Sequence, residues 1–239
     1  MEDNAPTTTA SDNVNISVAS WNIEKAGESS SDLKKARVNT FIDDCCGKYA
    51  IDLVFLCEVH TAQVENYKTH VEGIYGSKYS ITNLAGGMSN AYLLIAKNSL
   101  PVTIGHDQLK YLTRGIFAVT VGELWVAFAH FKSGQTGLTK DQVVNAVKFL
   151  QDMQTGRWAL VGDMNWDFRK ASDLKLPEGV NYATCWDDKT QAKGNILDWC
   201  IAGVAITVTP CKPDQLFDKE INDLEGPDHR PVVFGLDTI

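Results

Sequence analysis

Five short islands of acid, amide and imidazole side chains stand beside apolar runs in this chain. They are Trp21-Asn22-Ile23-Glu24, Cys57-Glu58-Val59-His60, Ala129-His130-Phe131, Gly162-Asp163-Met164-Asn165 and Gly226-Pro227-Asp228-His229-Arg230-Pro231. A further carboxylate, Asp198, lies inside Ile196-Leu197-Asp198-Trp199-Cys200-Ile201. Strand ends from distant parts of a chain can converge on one edge of a sheet. Hard oxygen ligands gathered there suit Mg²⁺, and two histidines beside them can move protons. That combination suits cleavage of a phosphate ester.

Each island has its own physical logic. Glu58 directly follows Leu53-Val54-Phe55-Leu56-Cys57, where burial without a partner is costly. A metal ion would compensate it, and so would a buried ion pair. Asp163 and Asn165 stand at i and i+2, which in extended chain point to one side. A turn built on two Asx residues is the other reading. Gly162 permits a turn or a close backbone approach. Asp198 within an apolar strand needs a partner, and a histidine is the natural one, because the pair fixes the imidazole tautomer and raises its basicity. His229 is the candidate, which leaves adjacent Asp228 to bind metal. Asn22 alone also reads as a turn cap. His130 ends a strand and faces either a phosphate oxygen or a satisfied core position. Arg114, ahead of a strand, is a phosphate contact or a surface cation. Glu24 and His60 have no assigned task, and His70 and His106 read as surface residues.

Elements must carry these groups to one place. Apolar and polar residues alternate over Ile16–Trp21, as in a strand with two unlike faces. Asp52 to Cys57 reads as a strand buried on both faces. Further strands are expected at Ala91–Ala96, Gly115–Val121, Leu124–Ala129, Trp158–Val161, 196–202, 204–209 and Val232–Leu236, with Gly122-Glu123 as a hairpin turn. Val38, Phe41, Ile42 and Cys45 make one helical stripe, and Val64, Tyr67 and Val71 another. Thr139 with Gln142 reads as a capping box opening a helix that carries Val143, Ala146, Val147 and Leu150. Residues 168–195 form a polar stretch with little periodicity, a functional loop.

Composition bounds the rest. The chain has 239 residues, 44% of them hydrophobic, which suits one domain with an ample core. Residues 1–14 read as a disordered lead-in and 15–239 as a single domain. No extended basic run suggests a nucleic-acid tail, and a formal net charge of -8 still allows a site where a metal and a few local cations meet phosphates. The six cysteines form no Cys-x-x-Cys pair, so a zinc site is not expected. No stretch reads as a secretory signal or membrane span. The expectation is a cytoplasmic protein, or one exported without a cleavable signal, with no protein partner evident.

The ordered set from Trp21-Asn22 to Pro231-Val232, with Gly-Asp-x-Asn and a terminal Asp-His-x-Pro-Val, resembles the endonuclease/exonuclease/phosphatase superfamily. The resemblance covers nearly the whole chain. It implies an α/β fold, a two-sheet β-sandwich flanked by helices as in deoxyribonuclease I. By the same resemblance Asn22, Glu58 and Asp228 match metal positions and Arg114 a phosphate contact. His130, Asp163, Asn165, Asp198 and His229 match catalytic positions. Pro227 stands where the family usually has Ser. Leu197-Asp198-Trp199-Cys200 departs from the inositol polyphosphate 5-phosphatases and is closer to the nuclease and cytolethal-distending-toxin-like members. The expected activity is Mg²⁺-dependent hydrolysis of the DNA backbone, with Mn²⁺ as a substitute. The alternative is a phosphatase or phosphodiesterase acting on a lipid headgroup or small phosphoester.

Overall fold

A computed structural model describes residues 14–26, 32–85, 90–105, 116–153 and 156–239. Twelve strands among them form two six-stranded sheets. The strands are β1 (Asn15–Ala26), β2 (Leu53–His60), β3 (Tyr79–Ala85), β4 (Asn90–Lys97), β5 (Val102–Gly105), β6 (Phe117–Val121), β7 (Leu124–His130), β8 (Trp158–Asp163), β9 (Asn181–Ala183), β10 (Asp198–Ala202), β11 (Ile206–Cys211) and β12 (Val232–Thr238). The first sheet runs β11-β12-β1-β2-β4-β3 and the second β5-β6-β7-β8-β10-β9. Helices α1 (Asp32–Asp43) and α2 (Val64–Tyr75) cover the first sheet, and α3 (Thr136–Met153) covers the second. The fold is the expected α/β two-sheet sandwich flanked by helices.

The period-two alternation of side chains assigns each strand residue to a layer. In β2, Leu53, Phe55 and Cys57 enter the core between the sheets, while Val54 and Leu56 pack under α1 and α2. The uninterrupted apolar run follows, since both faces are buried. In β7 the inward set is Leu124, Val126 and Phe128, in β8 Ala159 and Val161, and in β10 Cys200 and Ala202. Continuing these parities by one step gives His130, Asp163 and Asp198. The catalytic candidates are therefore the inward face extended past the apolar core, where the sandwich ends. Register aligns them: His130 lies opposite Asp163 across the parallel β7–β8 pair, and Asp163 opposite Asp198 across the antiparallel β8–β10 pair.

Several details differ from expectation. The helix expected to start at Thr139 begins at Thr136. Thr139 Oγ1 donates to the Lys132 carbonyl, and Gln142 Oε1 accepts from the Lys132 N–H. These residues are no capping box; they clamp the backbone just beyond His130. Strands β3, β5 and β9 escaped the pattern, and the strand expected at 204–209 runs Ile206–Cys211. The stretch 168–195 is not all loop, since it holds a helical turn at Phe168–Leu174 and β9. His70 is half-buried and pairs with Asp43 at 2.8 Å, so it is no bare surface histidine. All six cysteines carry thiols, with no disulfide. Residues 1–13 of the expected lead-in lie outside the described residues, as do Arg114 and His106. Val14, the last lead-in residue, donates its N–H to Thr238 Oγ1. Among the described residues no helix is long and apolar enough to cross a membrane.

Candidate active site

A cavity of about 340 Å³ opens at one end of the sandwich. Its walls include Asn22, Glu24, Glu58, His130, Asp163, Asn165, Asp228 and His229, with Gln191, Lys193 and Asn195 from the long loop. All three groups assigned to metal line it, as do four of the five catalytic candidates. The fifth, Asp198, lies beneath and reaches the cavity through His229.

Asp163 is the hub. Its side chain is 1% exposed, and its Oδ2 accepts from Asn22 Nδ2 at 3.0 Å and from Asn165 Nδ2 at 2.9 Å. Its Oδ1 accepts the Asn165 backbone N–H at 2.8 Å. That closes an Asx turn with Asn165 in the left-handed region (φ 47°), a conformation asparagine tolerates. The two side chains meet through this turn and not through extended chain. Asn165 also donates to the Phe131 carbonyl at 2.9 Å, which ties the end of β8 to the end of β7. Gly162 is required here, since it sits at φ 134° and a Cβ on it would lie 2.3 Å from the Ala129 carbonyl oxygen.

Two histidines flank the hub. His229 Nδ1 lies 2.7 Å from Asp198 Oδ2, and its Nε2 is 3.9 Å from Asp163 Oδ2 and 3.8 Å from Asp228 Oδ1. The Thr190 hydroxyl accepts the Asp198 N–H at 3.1 Å. The His229 carbonyl accepts from the Trp21 indole at 2.8 Å, which pins the loop under it. His130 Nε2 lies 3.1 Å from Glu58 Oε1, and its Nδ1 lies 3.2 Å from the Tyr92 hydroxyl. Both rings are buried, His130 at 3% exposed and His229 at 6%, yet both edge the cavity.

Burial shapes the titration of the Asp198–His229 pair. It pushes the Asp198 carboxyl up; His229 pulls it back and Asp163 adds to the rise, so it stays above the usual carboxylate range. For His229 burial works against the charge, but attraction to Asp198 and Asp163 and the hydrogen bond to Asp198 overcome it. The imidazole is raised from 6.5 to about 10. Such a group adds stability that is complete below about 6.5 and lost as pH climbs through about 10. In chelator, the wild type is therefore expected to lose more Tm between neutral pH and pH near 10 than His229→Gln does. Parallel Tm profiles in calorimetry would contradict this.

The donors fit a hard divalent cation. Glu58 and Asp228 supply carboxylates and Asn22 an amide oxygen, and oxygen sets of this kind suit Mg²⁺ or Mn²⁺. Gln191 Nε2 donates to Asp228 Oδ2 at 3.0 Å, which leaves Oδ1 turned toward His229. Asn22 Oδ1 accepts the Glu24 N–H at 3.0 Å, which fixes the amide's orientation. Glu58 stands at φ 55°, and the β1–β2 and β2–β4 registers shift around it. This bulge re-aims its carboxylate out of the strand's alternation. Asp163, Asp198 and His229 also offer atoms within 4.8 Å of one another, but the 2.7 Å Asp198–His229 bond already occupies two of the three.

Four participants had no assigned role in the sequence. Glu24 Oε2 accepts the Asp228 N–H at 3.1 Å and pairs with Lys34. Gln191, Thr190 and Tyr92 support Asp228, Asp198 and His130. Hydrophobic patterning could have flagged Tyr92 only as core, and nothing marked the two loop residues. His60 is not in the cavity wall; its Nδ1 accepts the Ala62 N–H and caps the turn after β2. Arg230 and Arg169, on loops beside the site, are committed to Asp188 and Asp167, each at 2.8 Å.

No family model matches the sequence, and a search of curated proteins gives no match. Solved structures do match in shape. TDP2 from C. elegans is 14% identical, with a TM-score of 0.66 over 93% of this chain and 75% of that one. TDP2 from D. rerio, solved complexed with single strand DNA product, is 18% identical, with a TM-score of 0.64 over 94% and 99%. The human Nocturnin catalytic domain, solved with bound sulfate anion, is 16% identical, with a TM-score of 0.66 over 95% and 97%. An endonuclease/exonuclease/phosphatase family protein from Bacteroides thetaiotaomicron is 12% identical, with a TM-score of 0.63 over 95% and 99%. The chain thus has the deoxyribonuclease I-like fold of the endonuclease/exonuclease/phosphatase superfamily, the family its residue islands resemble.

Proposed function

We propose that the chain is a Mg²⁺-dependent phosphodiesterase that hydrolyses the DNA backbone. The observation that carries this reading is the convergence on one cavity of Asp163, the 2.7 Å Asp198–His229 pair and the 3.1 Å Glu58–His130 pair. The DNA product held by a structure of the same fold supports the substrate class. Asn22, Glu58 and Asp228 would hold the cation, which when bound offsets negative charge on the phosphate oxygens. His229, supported by Asp198 and raised toward the imidazolium form, stabilises charge on the phosphorane-like state. Asp163 orients the attacking water through its remaining acceptor capacity. Asn165 spends its amide hydrogens on Asp163 Oδ2 and the Phe131 carbonyl, and so holds Asp163 in place. His130 would hydrogen-bond the leaving oxygen through the Nε2–H that Glu58 frees on holding the cation. Arg114 remains a proposed phosphate contact from the family resemblance.

Charge sets the expected binding mode. With a net charge of -8, only local cations and the metal meet the backbone. Lys193 in the cavity wall and Lys132 on the clamped loop are candidates. The slope of log affinity against log salt is expected to be shallow, on the order of two to four, since each neutralised phosphate contributes about 0.9. Lys193→Ala should lower it by about one without changing sequence preference. The deciding assay offers the Mg²⁺-loaded protein duplex and single-stranded DNA, RNA, sphingomyelin and phosphoinositides. Intact DNA alongside hydrolysed lipid or small phosphoester would replace the nuclease reading with the alternative.

A further inference from the structure

We infer that Tyr92 is a positioning residue that sets the ring orientation and tautomer of His130. The inference rests on the hydrolase reading for its effect on rate, and on geometry alone for its effect on the ring. Tyr92 belongs to β4 in the first sheet, and His130 ends β7 in the second. Their contact bridges the two sheets behind the cavity wall that His130 forms.

The core fixes the phenol. Tyr92 is 4% exposed, and its ring stacks on Phe55 with centroids 5.7 Å apart and planes at 20°. Phe55 in turn stacks on Phe128 at 4.7 Å, and Phe117 lies against Tyr92 at 4.9 Å. This column of rings leaves the Tyr92 hydroxyl little freedom. It emerges beside the edge-on imidazole of His130, with centroids 5.9 Å apart and planes at 77°. The hydroxyl lies 3.2 Å from Nδ1, while Nε2 lies 3.1 Å from Glu58 Oε1.

Donor chemistry then assigns the proton. An ionised carboxylate only accepts, so the Nε2 facing Glu58 carries hydrogen. In a neutral ring Nδ1 is then an acceptor, and the Tyr92 hydroxyl can donate to it. His130 therefore presents an N–H on its Nε2 edge, where Glu58 and Asp163 lie. His229 is held the opposite way, with a carboxylate at Nδ1 and Nε2 facing the site. The two imidazoles of the cavity thus meet different partners at Nδ1, a phenol for His130 and a carboxylate for His229.

Tyr92→Phe keeps the ring stack and deletes only the hydroxyl. The test is long-range ¹H–¹⁵N correlation NMR on chelated protein labelled at histidine, with His130 assigned from His130→Asn. Wild type should show an unprotonated Nδ1 and a protonated Nε2. In Tyr92→Phe the two signals should move toward each other as the ring samples both tautomers, while those of His229 stay in place. Turnover should fall on the order of tenfold in kcat, the size of one hydrogen bond, with KM unchanged. That loss should vanish in a His130→Ala background. A wild-type ring with its proton on Nδ1 or on both nitrogens, or a pattern unmoved by Tyr92→Phe, overturns the inference. So does an equal disturbance of His229. If the NMR pattern moves as expected and no phosphoester is cleaved, the positioning role stands and the hydrolase reading fails.

Discussion

His229→Ala is expected to lower kcat by about three to four orders of magnitude, near the upper end of what one positioned acid–base or charge-stabilising group contributes. Asp198→Ala should cost nearly as much. Asp198 is 1% exposed and bonded to His229 Nδ1 at 2.7 Å. Without it the imidazole loses both the partner that fixes its tautomer and the charge that raises its basicity. The double variant should be little worse than His229→Ala, because the pair acts as a unit. Folding needs a separate check. Removing His229 leaves a buried carboxylate without its partner, and Asp198 is expected to take up a proton in response. Asp198→Asn keeps the Thr190 contact and volume, and near-UV circular dichroism should match wild type. Additive losses in the double variant, or near-normal turnover in well-folded His229→Ala, would show that the pair does not work in catalysis.

Removal of divalent cations is expected to be at least as severe. Excess chelator should reduce turnover by on the order of 10³ or more, and added Mg²⁺ should restore it. Asn22, Glu58 and Asp228 put two carboxylates and an amide oxygen around one cavity, and Asp163 adds a third carboxylate. Four acids, Glu24 included, against one lysine in the described wall leave this cavity poor at holding a phosphate by itself. A cation reverses that local balance. Glu58→Gln should move half-maximal activity to higher Mg²⁺ concentration while Mn²⁺ still supports turnover. Calorimetric titration of Mg²⁺ into the substrate-free protein should show weaker binding in that variant. Full activity in excess chelator would end the metal-dependent reading.

The pattern of residue types alone indicated one α/β domain and named the candidates that line the cavity; the two-sheet sandwich came from the family resemblance. Apolar runs that end in Glu58, His130 and Asp163 place those groups at strand ends. A strand buried on both faces cannot carry such groups except where the apolar core stops. Asp198 inside an apolar strand demanded a partner, and His229 was the candidate because it left adjacent Asp228 to bind metal. What sits opposite each group was settled only in three dimensions. Tyr92 is indistinguishable in sequence from a core aromatic, because its hydroxyl acquires meaning only when β7 of the other sheet brings His130 to it. Gln191, Thr190 and Glu24 fell in loops and a strand end with no period to read, and they support groups far away in the chain. Thr139 and Gln142 had the spacing of a capping box, yet a helix starting three residues earlier turned them to Lys132. Of the two readings open for Asp163 and Asn165, extended chain or a turn of two Asx residues, the structure takes the turn, since a positive φ at Asn165 brings them together. Spacing along a chain reports local geometry, and these contacts are made between residues up to 204 positions apart.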